Sequence, residues 1–195
     1  MFVTALLAAT LAAPVPKAKA PELYFPTVEG TRYVMQRKSG GETVETTHTV
    51  TKVVEKDGTY TVTVSREVSG QVVEFKYEVS ANGVFALPRG GEKGEPRAVF
   101  KRPAKGGDTW TTEQTGPGQG GTRTTTYTVG KEEEVTVPAG KFKAVVVAAE
   151  TTLGGRVFKS TSWYAAGVGV VKTVAQSDGI EQVQEMKEFT PGKAK

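Results

Sequence analysis

The chain has 195 residues, of which 37% are hydrophobic and 24% charged, and it contains no cysteine. This length and composition suit one globular domain with a sizeable core and argue against general disorder. The formal net charge of +4 is too small to indicate a nucleic-acid-binding protein, and the lack of cysteine excludes disulfides and thiolate metal sites.

The first apolar run, residues 2–13, is too short to span a bilayer and has the length of the apolar part of a secretory signal. Ala18-Lys19-Ala20 then offers a small-x-small cleavage pattern. We therefore predict a signal peptide at 1–20 and a periplasmic or secreted protein with no stable membrane anchor after cleavage. A single β domain at 21–195, with a linker at its start and a short C-terminal tail, is expected to follow.

Alternation of apolar and polar residues predicts strands through the first half of the domain. The predicted strands are Thr31–Arg37, Val44–Val54, a strand from Tyr60, Val73–Val79 and Val84–Leu87. Asp57-Gly58 and Asn82-Gly83 are two-residue hairpin signals between them.

The second half begins with a region rich in Gly, Pro and charge at 88–108, in which Ala98–Phe100 is predicted to form a short edge strand. Trp110 is expected to anchor the following strand in the core, and residues 115–121 form a second loose region. A Thr-rich strand at Thr122–Val129 is predicted to turn at Gly130. Later strands are predicted at Val157–Tyr164, Val168–Val174 and Ile180–Phe189.

The segment Val135–Glu150 contains the most apolar strand signal of the chain. Residues 144–149 read AVVVAA, which is apolar on both faces and predicts a central strand covered on both sides. Val145 and Val147 on one face, and Val146 and Ala148 on the other, are expected to be buried. Pro138 and Gly140 interrupt the preceding alternation and favour a bend or bulge.

Together these signals predict an all-β protein: a single domain of about ten antiparallel strands forming a curved sheet, half-barrel or barrel. No helical periodicity competes with this interpretation outside the leader.

The sequence holds few residues suited to catalysis or metal binding. His48 is the one histidine, and on a strand it is expected to pack half-buried on a face with Val44, Val50 and Val54. Glu132 and Glu134 share a strand face, which suits either an acid/base pair or, more simply, a solvated strand. We therefore expect no enzyme, no cofactor and no metal site.

Aromatic residues give the better candidates for ligand binding. Tyr60 and Val62 alternate onto one face, and Phe75 and Tyr77 alternate onto the same face of the next strand. If the sheet curls without closing, this apolar face stays partly open to a ligand. Trp163 is the further candidate, as a stacking residue or as a residue that closes one end of the core.

Four segments carry a resemblance to a known family. They are Tyr24-Phe25-Pro26, Gly107-Asp108-Thr109-Trp110, Val137-Pro138-Ala139-Gly140-Lys141-Phe142, and the stretch from Trp163-Tyr164-Ala165 to Lys172. Their order resembles a family of bacterial exported all-β proteins, many of them lipoproteins with an N-terminal cysteine. The arrangement is more distantly similar to the open half-barrels of periplasmic lipoprotein carriers. That resemblance implies a concave face that holds acyl chains.

Three functions follow from these observations, in decreasing order of support. The first is a cell-envelope binding module that holds a lipid or other hydrophobic small molecule on an apolar sheet face. The second is a structural or protein-interaction module with a filled core and an envelope protein as partner. The third is a hydrolase with a carboxylate-only site.

Overall fold

A computed structural model describes residues 22–68, 70–89, 94–115, 122–177 and 179–193. The predicted signal peptide lies outside the described residues. In the described ranges the chain is all-β, which confirms the predicted fold class, and the strands number twelve rather than about ten.

The strands alternate with short turns along the described chain. Their bounds are β1 (Arg32–Ser39), β2 (Glu42–Lys56), β3 (Thr59–Val68), β4 (Gln71–Ser80), β5 (Gly83–Ala86), β6 (Arg97–Lys101), β7 (Thr109–Thr115), β8 (Thr122–Val137), β9 (Gly140–Leu153), β10 (Arg156–Ala165), β11 (Gly169–Ser177) and β12 (Ile180–Thr190).

All twelve strands form one antiparallel sheet in the order β6-β5-β4-β3-β2-β1-β12-β11-β10-β9-β8-β7. Strands that follow one another in sequence therefore pair, except that β6 and β7 do not, and β1 also pairs with β12, from Arg32↔Thr190 to Ser39↔Gln182. Two six-stranded meanders are joined by this pairing into one nearly closed barrel, and β6 and β7 are the unpaired edges. The gap between these two edges is called the seam below.

The turn predicted at Gly130 is wrong, because β8 runs through this position without stopping. Val129 pairs with Val147 and Glu132 with Val145, so Gly130 and Lys131 together face Val146 as a bulge. A Cβ added at Gly130 would lie 3.2 Å from the Val146 Cβ, so glycine suits this close approach. The chain reverses later, at Pro138-Ala139, and the predicted interruption there is a hairpin turn.

Strand β9 is covered on both faces only at its start. Val145 and Val147 lie in the main cluster of buried side chains, while Ala144 faces the other way into a second cluster. Val146 is half-buried and Ala148 is exposed, so the burial predicted for these two residues is wrong. The second cluster includes Val135 and Val137, and on β9 its residues are Phe142 and Ala144.

A bulge also changes which valines of β2 face the core. Val50 pairs with Val64, but Lys52 pairs with Thr63, so the alternation shifts by one residue at Thr51. Val53 therefore packs against the main cluster, whereas Val44 and Val54 are exposed, contrary to their predicted place on the buried face.

Aromatic contacts hold the two halves of the sheet together across the seam. The Tyr164 ring on β10 stacks on Phe100 of β6 at a centroid distance of 4.7 Å. The Tyr164 hydroxyl donates a hydrogen bond of 3.1 Å to the carbonyl of Val99. On the other side of the seam, Trp110 is buried and stacks on Tyr127, as predicted for a core anchor.

The segment that precedes β1 packs into the barrel. Tyr24 is buried against Phe100, and Phe25 lies 4.6 Å from Tyr77 between ring centroids. The Leu23 carbonyl accepts a hydrogen bond of 2.6 Å from the Gly167 amide, which fixes this segment to the β10–β11 turn. Two of the segments that carry the family resemblance are therefore in contact.

The alternation along β9 gives a matched pair of substitutions. Val147→Asp places a charge at a position that is 2% exposed and should lower the free energy of unfolding by several kcal/mol, about 3 or more. Ala148→Asp adds the same charge at an exposed neighbour and should change it by about 0.5 kcal/mol or less. Urea denaturation of both variants tests the assignment, and equal destabilisation would contradict the observed facing of β9.

Candidate functional site

The interior of the barrel changes from apolar to charged along its strands. On β3 the inward side chains run Val62, Val64, Arg66, and on β8 they run Tyr127, Thr125, Arg123. Val62 is 0% exposed, whereas Arg123 is exposed. Because both sequences end in arginine at the same end of the barrel, the apolar interior becomes basic at that end.

Two adjoining cavities occupy this basic end. The smaller, of about 240 Å³, has the side chains of Tyr127, Val147 and Tyr164 at its inner part. Hydroxyl groups form its walls, among them Thr125 and Thr151, whose oxygens lie 2.9 Å apart. The full lining is Arg97, Val99, Gln114, Arg123, Thr125, Tyr127, Val147, Ala149, Thr151, Ser160, Ser162 and Tyr164.

The larger cavity, of about 510 Å³, lies at the seam between β4–β6 and β7–β8. One wall is apolar and consists of Phe75, Tyr77, Ala86, Leu87 and Pro88. The remaining lining residues are Lys76, Arg89, Gly94, Glu95, Arg97, Glu113, Gln114, Thr115 and Arg123. The two cavities share Arg97, Gln114 and Arg123, so they adjoin at these residues and together make up the candidate site.

Phe75 lies between two guanidinium groups. The Arg66 Cζ is 4.6 Å and the Arg89 Cζ is 4.3 Å from the centre of its ring. Such contacts stabilise a cation through the ring quadrupole. They hold two positive charges near Phe75, which lines the larger cavity.

Among the residues that the structure describes, the arginines of the site have no ion-pair partner. They are Arg66, Arg89, Arg97 and Arg123. Arg97 donates one hydrogen bond, of 3.4 Å, to the Tyr127 hydroxyl. A guanidinium has five N–H donors, so most of their hydrogen-bonding capacity is not used by the described protein groups.

Burial keeps the tyrosines of the site neutral. Burial raises the pKa of Tyr77, and the guanidiniums of Arg66, Arg97 and Arg89 oppose this rise. Burial likewise raises the pKa of Tyr164, well above its ordinary value. Both phenols therefore stay protonated and contribute no negative charge to offset the arginines.

His48 packs beside this basic end rather than lining a cavity. Its ring stacks on Tyr33 at 4.7 Å with an interplanar angle of 7°, and it pairs in register with Arg66. Burial, with a smaller contribution from Arg66, lowers the pKa of His48 to about 4. Its Nε2 atom and the Arg66 Nε atom are buried and have no hydrogen-bond partner within the described residues.

The structure separates the five residues predicted to bind ligand. Phe75 and Tyr77 line the larger cavity, and Tyr60 packs against the main cluster and lines neither of the two cavities described above. Val62 is fully buried inside that cluster. Trp163 lies apart from them in the second cluster, where its Nε1 donates a hydrogen bond of 2.7 Å to the Glu133 carboxylate.

The acidic candidates lie on an exposed surface. Glu132 and Glu134 pair across the β8–β9 hairpin with Lys143 at 3.1 Å and Lys141 at 3.2 Å. In the ranges that the structure covers, no three His, Cys, Asp or Glu side chains come together as a metal-binding group. Over the same ranges, no helix is long and apolar enough to cross a membrane.

Sequence reasoning found the aromatic wall of the site and missed its arginines. Two of these arginines continue the alternation of an inward-facing set: Arg66 follows Val62 and Val64, and Arg123 precedes Thr125 and Tyr127. The signal that could have identified them is an arginine at a position where the alternation predicts an inward-facing side chain. The position of Arg97 depends on how β6 lies across the seam, which no local pattern encodes.

Comparison with known proteins agrees with the fold. Residues 110–184 match the DUF3108-like family, a segment that starts at Trp110 and contains the β8–β9 turn and the Trp163–Lys172 stretch. No curated protein matches the sequence.

Two solved structures share the architecture. One is a "putative lipoprotein" from Parabacteroides distasonis, with 16% identity, a TM-score of 0.59, and coverage of 88% of this chain and 100% of that chain. The other is a "putative exported protein with YmcC-like fold" from Bacteroides fragilis, with 14% identity, a TM-score of 0.57, and coverage of 87% and 99%. At these identities the likeness establishes the fold alone.

The lowered pKa of His48 makes stability depend on pH. Unfolded His48 takes up a proton near pH 6.5 and folded His48 near pH 4, so its contribution to stability is lost as pH falls through this window. His48→Gln should reduce the decline in unfolding free energy between pH 7 and pH 4 by about 1–2 kcal/mol, since the ring is only half-buried. Denaturation at both pH values measures this, and identical declines in the two proteins would contradict it.

Proposed function

We propose that this protein is a non-catalytic binding module of the cell envelope that holds an amphiphilic small molecule in the cavity at its seam. The observation that carries the proposal is the larger cavity itself, which at about 510 Å³ has the size of a typical small-molecule site. Its wall of Phe75, Tyr77 and Leu87 offers an apolar surface at the seam of the barrel.

The mixed lining favours an amphiphile over a purely apolar ligand. Aromatic and aliphatic side chains come from β4, β5 and the residues just after them, whereas charged and amide side chains come mainly from β6, β7 and β8. A hydrocarbon chain fits the first wall and a polar group fits the second. The apolar residues of the main cluster, such as Val62, are too well packed to admit the chain.

An exported location is supported by two observations. The apolar run at 2–13 has the features of a secretory signal. The two structural relatives are described in their names as a lipoprotein and an exported protein. We place the module in the envelope on these grounds, periplasmic or secreted.

A second candidate, a protein-interaction module, is favoured by the sheet edges. β6 and β7 have no strand partner across the seam. Unpaired edges accept an added strand from another chain. In that function the edges, rather than the cavity, would bind the partner.

A fluorescent long-chain acyl probe separates the two candidates. We expect saturable binding at micromolar probe, weakened about tenfold by Phe75→Ala because the aromatic wall is lost. Phe75→Leu, which keeps an apolar side chain, should retain most of the affinity. Fluorescence titration of each variant, with the fold checked by circular dichroism, measures the effect.

Val72→Ala is the matched control, because Val72 lies on the same strand and is 69% exposed. It should bind the probe as the wild type does. If the folded wild type binds no acyl probe, the cavity proposal fails and the interaction module becomes the better account. If Val72→Ala weakens binding as much as Phe75→Ala, the site does not lie at this wall.

A further inference from the structure

The basic end of the site indicates which polar group the ligand carries, an inference that rests on the proposed function. We infer that the amphiphile carries an oxyanion, a carboxylate or phosphate, held by Arg97 and Arg123 where the two cavities meet. Its chain then lies along Phe75 and Leu87. The inference depends on the position of these arginines, on their free hydrogen-bond donors and on the charge of the cavities that they line.

Position singles out these two arginines. Arg97 on β6 and Arg123 on β8 line both cavities, and they come from opposite sides of the seam. Gln114, which pairs in register with Arg123, is the third residue that both cavities share. A group bound between them contacts both halves of the barrel while leaving the apolar wall free for a chain.

Donor capacity points to an acceptor-rich ligand group. The single hydrogen bond of Arg97, to Tyr127, is long at 3.4 Å, and Arg123 has no side-chain partner in the described part of the chain. The planar guanidinium fork matches the paired oxygens of a carboxylate or phosphate. Hydroxyls of Thr125 and Ser162 in the same cavity can donate further hydrogen bonds to such a group.

Charge favours an anion over a neutral polar group. The smaller cavity is lined by two arginines and no carboxylate. In the larger cavity, four cationic side chains face two exposed carboxylates, Glu95 and Glu113. Arg66, beside Phe75, adds a further positive charge. Like charges gathered at a partly enclosed site repel one another, and a bound anion offsets that repulsion.

The test compares two probes that differ only in charge: a fluorescent long-chain fatty acid and its methyl ester. We expect the wild type to bind the acid about tenfold more tightly than the ester, the effect of one charge-assisted hydrogen-bonded contact. Arg97→Gln and Arg123→Gln should each lower the acid affinity and bring the ratio close to one, with ester affinity little changed.

Arg32→Gln is the matched control, because it removes the same charge from β1, where Arg32 pairs with Glu188 on the exposed surface. It should keep the wild-type ratio. Equal affinity of wild type for acid and ester overturns the oxyanion while leaving the proposed function standing, whereas binding of neither probe overturns both. The ratio of acid to ester affinity is measured on the wild type alone. A variant that fails to fold therefore does not prevent the test of the oxyanion.

Inorganic phosphate separates a lipid-borne oxyanion from a free one. We expect phosphate to displace the acid probe only in large excess, because it lacks the chain that contacts Phe75. Displacement by phosphate at concentrations near those of the probe would identify a free oxyanion as the ligand and overturn the amphiphile. A ratio that stays at tenfold in both arginine variants would place the anion elsewhere.

Discussion

A central contact of this nearly closed sheet is made by Tyr164, which connects edge strand β6 to the other half of the barrel. Its ring stacks on Phe100 and its hydroxyl binds the Val99 carbonyl, so packing and hydrogen bonding act at the same place. Burial raises the pKa of this phenol, and the hydroxyl remains a donor throughout the ordinary pH range. Because Tyr164 also lies deep in the smaller cavity, the contact that holds the seam also shapes the site.

The segments that carry the family resemblance take part in backbone hydrogen bonds between parts of the chain that are distant in sequence. Gly167 binds the Leu23 carbonyl at 2.6 Å, Ala139 donates to the Met186 carbonyl at 3.0 Å, and Gly107 donates to the Val129 carbonyl at 2.8 Å. The first bond ties the entering segment to the β10–β11 turn, and the other two each tie a turn or loop to a strand distant in sequence. These motifs therefore mark where turns and segments dock on the fold, and they share only Tyr164 with the lining of the candidate site. Comparing these motifs between proteins therefore gives information about the fold and none about the ligand.

Strand identity could be predicted from local pattern, because alternation and Asp-Gly or Asn-Gly turns depend on neighbouring residues. The positions that were missed depend on bulges: Gly130 within β8 and Thr51 within β2 each shift the phase, which exposes Val54 where burial was predicted. The aromatic side of the candidate site could also be predicted, since alternation along the sequence places Phe75 and Tyr77 on one apolar face. Arg97 could not be predicted, because its place opposite Arg123 follows from how the two sheet edges approach one another.

The strand order has a consequence for how the chain reaches its native state. Pairing between successive strands closes short loops, but β1 must find β12 across almost the whole domain, at Arg32↔Thr190. The entropy lost in closing that loop is the largest of any strand pair in the sheet, and long-range pairings of this kind slow folding. We expect each six-stranded meander to form its hairpins first and the union of the meanders to limit the rate. On this view, the two ends of the described chain, held together where the Gly192 amide binds the Thr31 hydroxyl at 3.0 Å, meet late in assembly.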